Sequence, residues 1–366
     1  MNRVPSKVVS PGPGSTSSMS LWLGAVLLTI LLVTSTSARA QVCLSDPVTL
    51  TTQAQVDAFE ATYGPDCVRV ETTLTVSGAD IQNLDGLARL ERVNRLDITG
   101  NPLLTDITGL ASLANLRTLF IIDNPQLASF AGLSGVAVLR DLLIEGNTLL
   151  TDLDDLAGVT SLQTLNIRDN SALANLDAFG NLASVAFKLE IRSNPELTSI
   201  SGLSSLSGEM GGPLNFIGNG KLASLEGLSG LTSVGILEVL DNDALVDLSG
   251  LEGLRTQGNA GFATISDNQL LQSLDGLENL IAINSPLFVT GNPRLDDCTA
   301  LGPLLDDVDD AEPGPGPGVA GIPDINGDVT FLGNKPGCNS VNEVLDAVEA
   351  EKLMLKDGFE PVSYTH

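Results

Sequence analysis

Apolar residues recur along this chain in units of 23 to 26 residues, and each unit combines two spacings. In the first part, two apolar positions separated by one residue precede an Asn, as Leu119 and Ile121 precede Asn124. After the Asn, the apolar residues step by three, as in Leu127 and Phe130. The first spacing predicts a short β-strand with one buried face. The second differs from the mixed three-and-four spacing of an amphipathic α-helix and predicts short extended or 3₁₀ segments around corners.

A unit of this length cannot bury its own apolar row. It must stack on its neighbours, so the pattern predicts a β-rich solenoid in which each unit forms one coil.

The Asn of each unit predicts a second stacked feature, an asparagine ladder. A buried amide must be hydrogen-bonded, and an Asn at the corner after each strand can bond the turn backbone of its own and adjacent coils. The alternative is a surface turn residue, because Asp-Asn-Pro and Gly-Asn-Pro are favourable turn sequences. Recurrence in a fixed register with buried apolar residues favours the ladder. The predicted ladder residues are Asn101, Asn124, Asn147, Asn170, Asn194, Asn219, Asn242, Asn268 and Asn292.

The Leu-x-Ile-x-x-Asn core resembles a leucine-rich repeat. The longer stretch LDITGNPLLTDITGLASLANLRTLFIIDNP, residues 96–125, resembles the receptor L-domain family of leucine-rich-repeat-like solenoids. The resemblance covers the chain from Cys67 to about Cys298. It implies a right-handed stack of coils as the fold, and because this family binds many different partners it does not imply one ligand.

The N-terminus predicts a secretory signal peptide over residues 1–40. Arg3 and Lys7 precede an apolar stretch from Leu21 to Val33, and Ala38-Arg39-Ala40 fits a cleavage site. Met19 is an alternative start. A membrane anchor is the competing interpretation, but thirteen apolar residues are few for a spanning helix. We therefore expect a secreted protein without a membrane span after cleavage.

The four cysteines fit disulfides in an exported chain. Three pairings are possible, and position favours Cys43 with Cys67 before the repeats and Cys298 with Cys338 at their end. A metal site is the alternative, which the absence of an internal His and of a close Cys pair disfavours.

The ends of an open solenoid need caps. Residues 51–64 predict a short helix with Val56, Phe59 and Tyr63 on one face, and Ser340 with Glu343 predicts a capping box that starts a second helix. The predicted organisation is a signal peptide (1–40), an N-terminal cap (41–73), the solenoid (74–297), a C-terminal cap with a Pro/Gly loop (298–339) and a C-terminal helix and tail (340–366).

Charge narrows the possible partners. The chain has a formal net charge of −27, and because the signal holds three basic and no acidic residues the mature chain carries −30. Such a chain repels nucleic acid and anionic membranes. The single His is the last residue, so no Ser-His or Cys-His pair is available, and we expect neither an enzyme nor a cofactor. A weak calcium candidate is the alternating set Asp324, Asn326 and Asp328, which lacks the Gly and the Glu of an EF-hand loop.

Two functions remain: a non-catalytic module that binds an extracellular protein or glycan, and a structural envelope or matrix protein without a discrete ligand. A binding module should carry clustered aromatic, Arg and apolar side chains on the outward face of its strands. Residues two, four and six places before each ladder Asn should face outward. The predicted site among them is Phe120, Leu143, Arg168, Lys188 and Arg192, and a second, apolar group is Ile217, Ile236, Leu240, Phe262 and Phe288.

Overall fold

The computed structural model describes residues 41–44, 46–258, 262–305, 324–325 and 328–356. Residues 41–43, 324–325 and 354–356 are described by their backbone alone. The predicted signal peptide, most of the Pro/Gly loop and the C-terminal tail lie outside these residues. The described residues belong to one unit, Ala40–His366.

The described strands form a single 16-stranded sheet in which paired strands run parallel. The strands are β1 (Gln41–Leu44), β2 (Val48–Leu50), β3 (Cys67–Val76), β4 (Arg92–Thr99), β5 (Asn115–Ile122), β6 (Asp141–Glu145), β7 (Ser161–Arg168), β8 (Ser184–Arg192), β9 (Ser207–Ile217), β10 (Gly230–Leu240), β11 (Thr256–Gln257), β12 (Ala263–Ser266), β13 (Ala282–Ile283), β14 (Leu287–Thr290), β15 (Asp324–Ile325) and β16 (Val329–Leu332). From β3 to β10 each strand pairs with the next one along the chain, and the later coils contribute two short strands each. The sheet is open, as expected for a β-solenoid.

Short helices complete the coils. The α-helices are α1 (Gln53–Asp57), α2 (Phe59–Tyr63), α3 (Gly302–Leu305) and α4 (Val341–Lys356), and the 3₁₀ helices are Asp85–Leu87, Thr108–Leu110, Asp154–Leu156, Asp177–Phe179, Ser201–Leu203 and Thr299–Leu301. The 3₁₀ helices lie in the segments where apolar residues step by three. In the coil that follows Asn101, Leu104, Ile107 and Leu110 are all buried, and the 3₁₀ helix Thr108–Leu110 lies at the end of this row. The two spacings therefore correspond to two backbone states.

The predicted asparagines form a continuous hydrogen-bonded ladder inside the solenoid. All nine are fully buried, and Asn170 illustrates their bonds. Its Nδ2 donates to the carbonyl oxygens of Ile144 (3.1 Å) and Arg168 (2.9 Å). Its Oδ1 accepts from the backbone N–H (3.1 Å) and Nδ2 (3.3 Å) of Asn147 in the preceding coil. Each amide therefore satisfies backbone groups of two coils.

Each ladder Asn follows a residue with positive φ. At four of the nine positions the residue is Gly, such as Gly146 (φ 68°), and at the other five it is Asp or Ser, such as Asp169 (φ 59°) and Ser193 (φ 51°). Asp is among the residues that tolerate this left-handed conformation best after Gly. This turn directs the following amide into the interior.

The N-terminal cap contains the predicted helix as two short pieces, α1 and α2. The Thr52 hydroxyl caps α1 by accepting from the Gln55 N–H (3.2 Å). Val56 and Phe59 are buried, and Tyr63 packs against the core. Cys67 is disulfide-bonded, while the side chain of Cys43 lies outside the described residues, so its pairing with Cys67 stays a prediction.

The C-terminal end differs from the prediction, because the coils continue past residue 297. Strand β16 pairs with β14, and Asn334 extends the ladder: its Oδ1 accepts from the N–H of Asn292 (3.1 Å). Cys298 and Cys338 are bonded across this last coil, with Cα atoms 5.8 Å apart. The stretch from Asn292 to Asn334 is thus one coil carrying a long insertion, so the predicted boundary at 297 was too early.

Helix α4 follows this coil as predicted. The Ser340 hydroxyl accepts from the Glu343 N–H (3.2 Å), and Glu343 Oε2 accepts from the N–H groups of Gly337 (2.7 Å) and Asn339 (3.1 Å). Val344 is fully buried and Val348 lies against Gly302 of α3. The helix therefore packs over the end of the solenoid.

Candidate functional site

The outward face of the sheet consists of rows of side chains from successive coils. In β5, Phe120 and Ile122 are partly exposed, and they alternate with the buried Leu119 and Ile121. The strand register places Phe120 beside Leu143 of β6. Residues at the same distance from their ladder Asn are therefore neighbours on this face.

The predicted basic group lies on adjacent coils, but it is not a basic patch. Arg168 pairs with Glu145 at 2.7 Å, and Lys188 pairs with Glu190 at 2.8 Å. Arg192 is exposed, lies beside Arg168 in the register and makes no ion pair with the described residues. Two of the three expected positive charges are thus offset by a neighbouring carboxylate.

The early coils carry an arginine–aromatic platform that includes one predicted residue. The Arg95 guanidinium lies 4.3 Å from the centre of the Phe120 ring. Its Nε also donates to both carboxylate oxygens of Asp97, at 2.9 and 3.0 Å. Leu143 follows Phe120 in the same row. We call Arg95, Phe120 and Leu143 the early-coil face.

The late apolar group is also partly exposed. Phe262 is 53% exposed and meets Phe288 in an edge-to-face arrangement with ring centres 6.2 Å apart. Leu332 of β16, which was not predicted, adds a side chain that is 68% exposed. Helix α4 packs on α3, on the adjacent 3₁₀ helix and on β16, the strand that carries Leu332. We call Phe262, Phe288 and Leu332 the late patch.

A groove in the early coils brings together three arginines that the prediction missed. Arg92, Arg117 and Arg140 come from three successive coils and line an opening of about 380 Å³. The other lining residues are Val93, Asn94, Asn115, Leu116, Val138 and Leu139. We call this opening the arginine groove. The sequence carried a signal for it, since Arg117 and Arg140 each lie seven residues before a ladder Asn.

Only part of the charge in the arginine groove is offset locally. Arg92 lies 3.5 Å from a carboxylate oxygen of Glu71, and Arg140 lies 3.7 Å from that of Asp141. Arg140 also donates to the Gln163 side chain. Arg117 is exposed and makes no ion pair with the described residues. The lining of the groove therefore carries three arginines and no carboxylate, within an acidic protein.

The described residues offer little for metal or acid–base chemistry. They contain no group of three or more His, Cys, Asp and Glu side chains arranged to hold a metal ion. Of the calcium candidate, Asn326 lies outside the described residues. A twelve-residue loop starting at Asp324 would run through β16, whose backbone pairs with β14, so this segment is not folded as an EF-hand loop.

One carboxyl group in the described part of the chain has a clearly shifted pKa. Burial raises the pKa of Asp275 above its ordinary value of 3.8, the Ser273 side chain opposes the shift by hydrogen bonding, and nearby Asp297 adds to it. These groups lie in the turn segments, away from the early-coil face. The shift is therefore a property of the packed turns.

Comparison with known proteins does not add a family. No protein-family model matches the chain, and no curated protein matches it. No helix of the described part has both the length and the apolar character needed to cross a bilayer.

Proposed function

We propose that this protein is a secreted, non-catalytic binding protein of the receptor L-domain type, built from leucine-rich-repeat-like coils. The parallel solenoid, its asparagine ladder and the Leu-x-Ile-x-x-Asn pattern support this assignment. The signal-like N-terminus and the Cys298–Cys338 disulfide are compatible with export. The partner is an extracellular protein or glycan.

The observation that carries this function is the platform on the early-coil face. Arg95 is held by Asp97 and lies against the Phe120 ring, so both side chains are ordered before any partner arrives. Ordered Arg and aromatic side chains lose little entropy on binding, and such residues are enriched at the centres of interfaces. A purely structural protein would have no need for this arrangement on a solvated sheet.

Partner capture tests the proposal. The immobilised protein is exposed to the medium in which its source cells have grown, and retained molecules are identified by mass spectrometry. The variant carrying Phe120→Ser and Leu143→Ser should lose the partner, because both side chains lie on the early-coil face. Phe262→Ser is the matched control, since it removes an equally apolar side chain from the distant late patch.

Three results would count against the proposal. Equal capture by both variants would exclude the early-coil face, and loss in Phe262→Ser alone would move the site to the late patch. Retention of nothing specific by the wild type would favour the structural alternative. Circular dichroism of each variant establishes that the fold is intact. The charge-reversing substitution Arg168→Glu is a poorer test, because it would place a second carboxylate beside Glu145 and change the ion pair within the protein itself.

A further inference from the structure

We propose that the arginine groove is a second binding site, which takes a linear acidic polysaccharide with a carboxylate on successive sugars. This assignment does not depend on the partner of the early-coil face. It rests on the charge, the spacing and the lining of the groove.

The charge argument starts from how basic residues are distributed. The chain holds 18 Lys and Arg against 45 Asp and Glu, yet three arginines converge on one opening. Their only ion pairs among the described residues are the long contacts with Glu71 and Asp141. Exposed pairs of this kind contribute little and are easily exchanged for another carboxylate. An arginine fork binds carboxylates with two parallel hydrogen bonds, which makes it well suited to uronate groups.

The spacing argument identifies the kind of polyanion. Arg117 and Arg140 lie in one row on consecutive coils, and paired strands are about 4.8 Å apart. Arg92 pairs with Asn115 and therefore lies two residues to one side of this row. A uronate chain whose ring-to-ring twist keeps neighbouring carboxylates on one side advances by close to one strand spacing per sugar, so two successive carboxylates reach Arg117 and Arg140. In an extended peptide, side chains on one face recur every ~6.6 Å and fall out of step within a few coils. The repeat therefore favours a polyuronate over an acidic peptide.

The remaining lining residues fit a sugar chain. Asn94 and Asn115 are exposed amides that can bond hydroxyl groups, and Val138 is 73% exposed and offers an apolar surface to the C–H face of a pyranose ring. The lining contains no aromatic side chain. Single-stranded nucleic acids are usually held by aromatic stacking, so the groove lacks the platform that they need.

The test uses a purified hexauronate, its methyl ester and polyglutamate as probes, with calorimetry on the full-length secreted chain. The hexauronate should bind, the uncharged ester should bind at least tenfold more weakly, and polyglutamate should bind more weakly than the hexauronate. Adding about 0.5 M salt should weaken binding of the hexauronate, because exposed charges are screened.

Charge removal in the groove gives the second arm. The double variant Arg117→Gln, Arg140→Gln should bind the hexauronate about tenfold more weakly, because the losses in affinity from two exposed charge contacts multiply. Both residues are exposed, so the fold should be retained. Arg255→Gln is the matched control and should bind within about twofold of the wild type, because Arg255 does not line the groove. Its backbone N–H donates to Thr232 O (3.0 Å) in the preceding coil, as that of Arg140 donates to Arg117 O (2.8 Å).

Each contrary outcome overturns the assignment. Unchanged affinity in the double variant, or an equal loss in Arg255→Gln, would show that the groove is not the site. Equal binding of the methyl ester would exclude carboxylate recognition. Equal or tighter binding of polyglutamate would replace the polysaccharide by an acidic peptide. By contrast, loss of hexauronate binding in the double variant with the early-coil partner retained would support the assignment and separate this site from the proposed function.

Discussion

Replacing Asn170 by Leu tests whether the ladder stabilises the solenoid. The Asn147 N–H donates to Asn170 Oδ1 (3.1 Å), and the Ile144 carbonyl accepts from Asn170 Nδ2 (3.1 Å). The substitution removes both partners from a fully buried position. An unsatisfied buried backbone group costs about 1–3 kcal/mol, so the loss should be about 2–6 kcal/mol. The Arg168 carbonyl keeps a partner, because it also accepts from the Gly146 N–H (3.2 Å).

The same substitution at Asn101 should cost less. Its Oδ1 accepts from the N–H of Gly78, which is partly exposed and can hydrogen-bond to water instead. In the interior, the substitution removes the hydrogen bond that Asn101 Nδ2 donates to the Val76 carbonyl oxygen (3.0 Å). We expect a loss of about 1–3 kcal/mol for Asn101→Leu.

Urea unfolding followed by circular dichroism measures both losses. Asn166→Leu is the matched control, since it removes an amide from the outward face of β7 whose Oδ1 has no hydrogen-bond partner in the structure. It should change the free energy of unfolding by less than about 0.5 kcal/mol. The reasoning fails if Asn170→Leu and Asn166→Leu unfold at the same urea concentration, because the ladder amides would then act only as turn formers.

Three further predictions concern the caps, the turns and pH. The Cys298–Cys338 disulfide joins residues 40 apart in sequence, so removing it with Cys298→Ala and Cys338→Ala should lower the free energy of unfolding by about 4 kcal/mol in the loop-entropy model. Peptide mapping without reduction should link Cys43 to Cys67. At the positive-φ position 169, Asp169→Gly should maintain or raise the thermal midpoint, whereas Asp169→Val should lower stability by about 1–2 kcal/mol; equal midpoints would mean that the turn relaxes. Because burial raises the pKa of Asp275, its ionised form opposes folding at pH 7, so Asp275→Asn should be more stable than the wild type there. That advantage should disappear as the pH falls below the ordinary value of 3.8, and urea midpoints at pH 7 and pH 3.5 measure it.

Much of the coil was predictable because each spacing corresponds to one backbone state. Alternation at Leu119 and Ile121 marked a strand, and the three-residue steps after Asn124 marked the turns. The burial of Asn124 followed from its fixed register with these residues. The helices at Thr52 and Ser340 followed from capping chemistry, which is local and therefore visible in sequence.

The last coil was missed because an insertion hides its period. Val329-x-Phe331-x-x-Asn334 has the same pattern as the earlier coils, but it lies 42 residues after the preceding ladder position instead of 23 to 26. A search for the motif alone would have found it, whereas a search for a constant interval could not. Asp324 belongs to the same coil, since β15 and β16 pair with β13 and β14.

The electrostatic surface was the least predictable part, because in a solenoid the neighbour of a side chain lies one repeat away. Arg168 reads as a free cation along the chain, yet Glu145 occupies the same row 23 residues earlier and pairs with it. In the arginine groove the same geometry has the opposite effect: the N–H of Arg140 bonds the carbonyl of Arg117, so one arginine follows another on adjacent coils. Aligned rows, rather than local clusters of Lys and Arg, therefore decide where such a protein attracts anions. In both sets two of three cations have a carboxylate neighbour, but the ion pairs are 3.5 and 3.7 Å long in the arginine groove and only 2.7 and 2.8 Å long in the predicted basic group. We therefore propose the groove, rather than the predicted basic group, as the anion site.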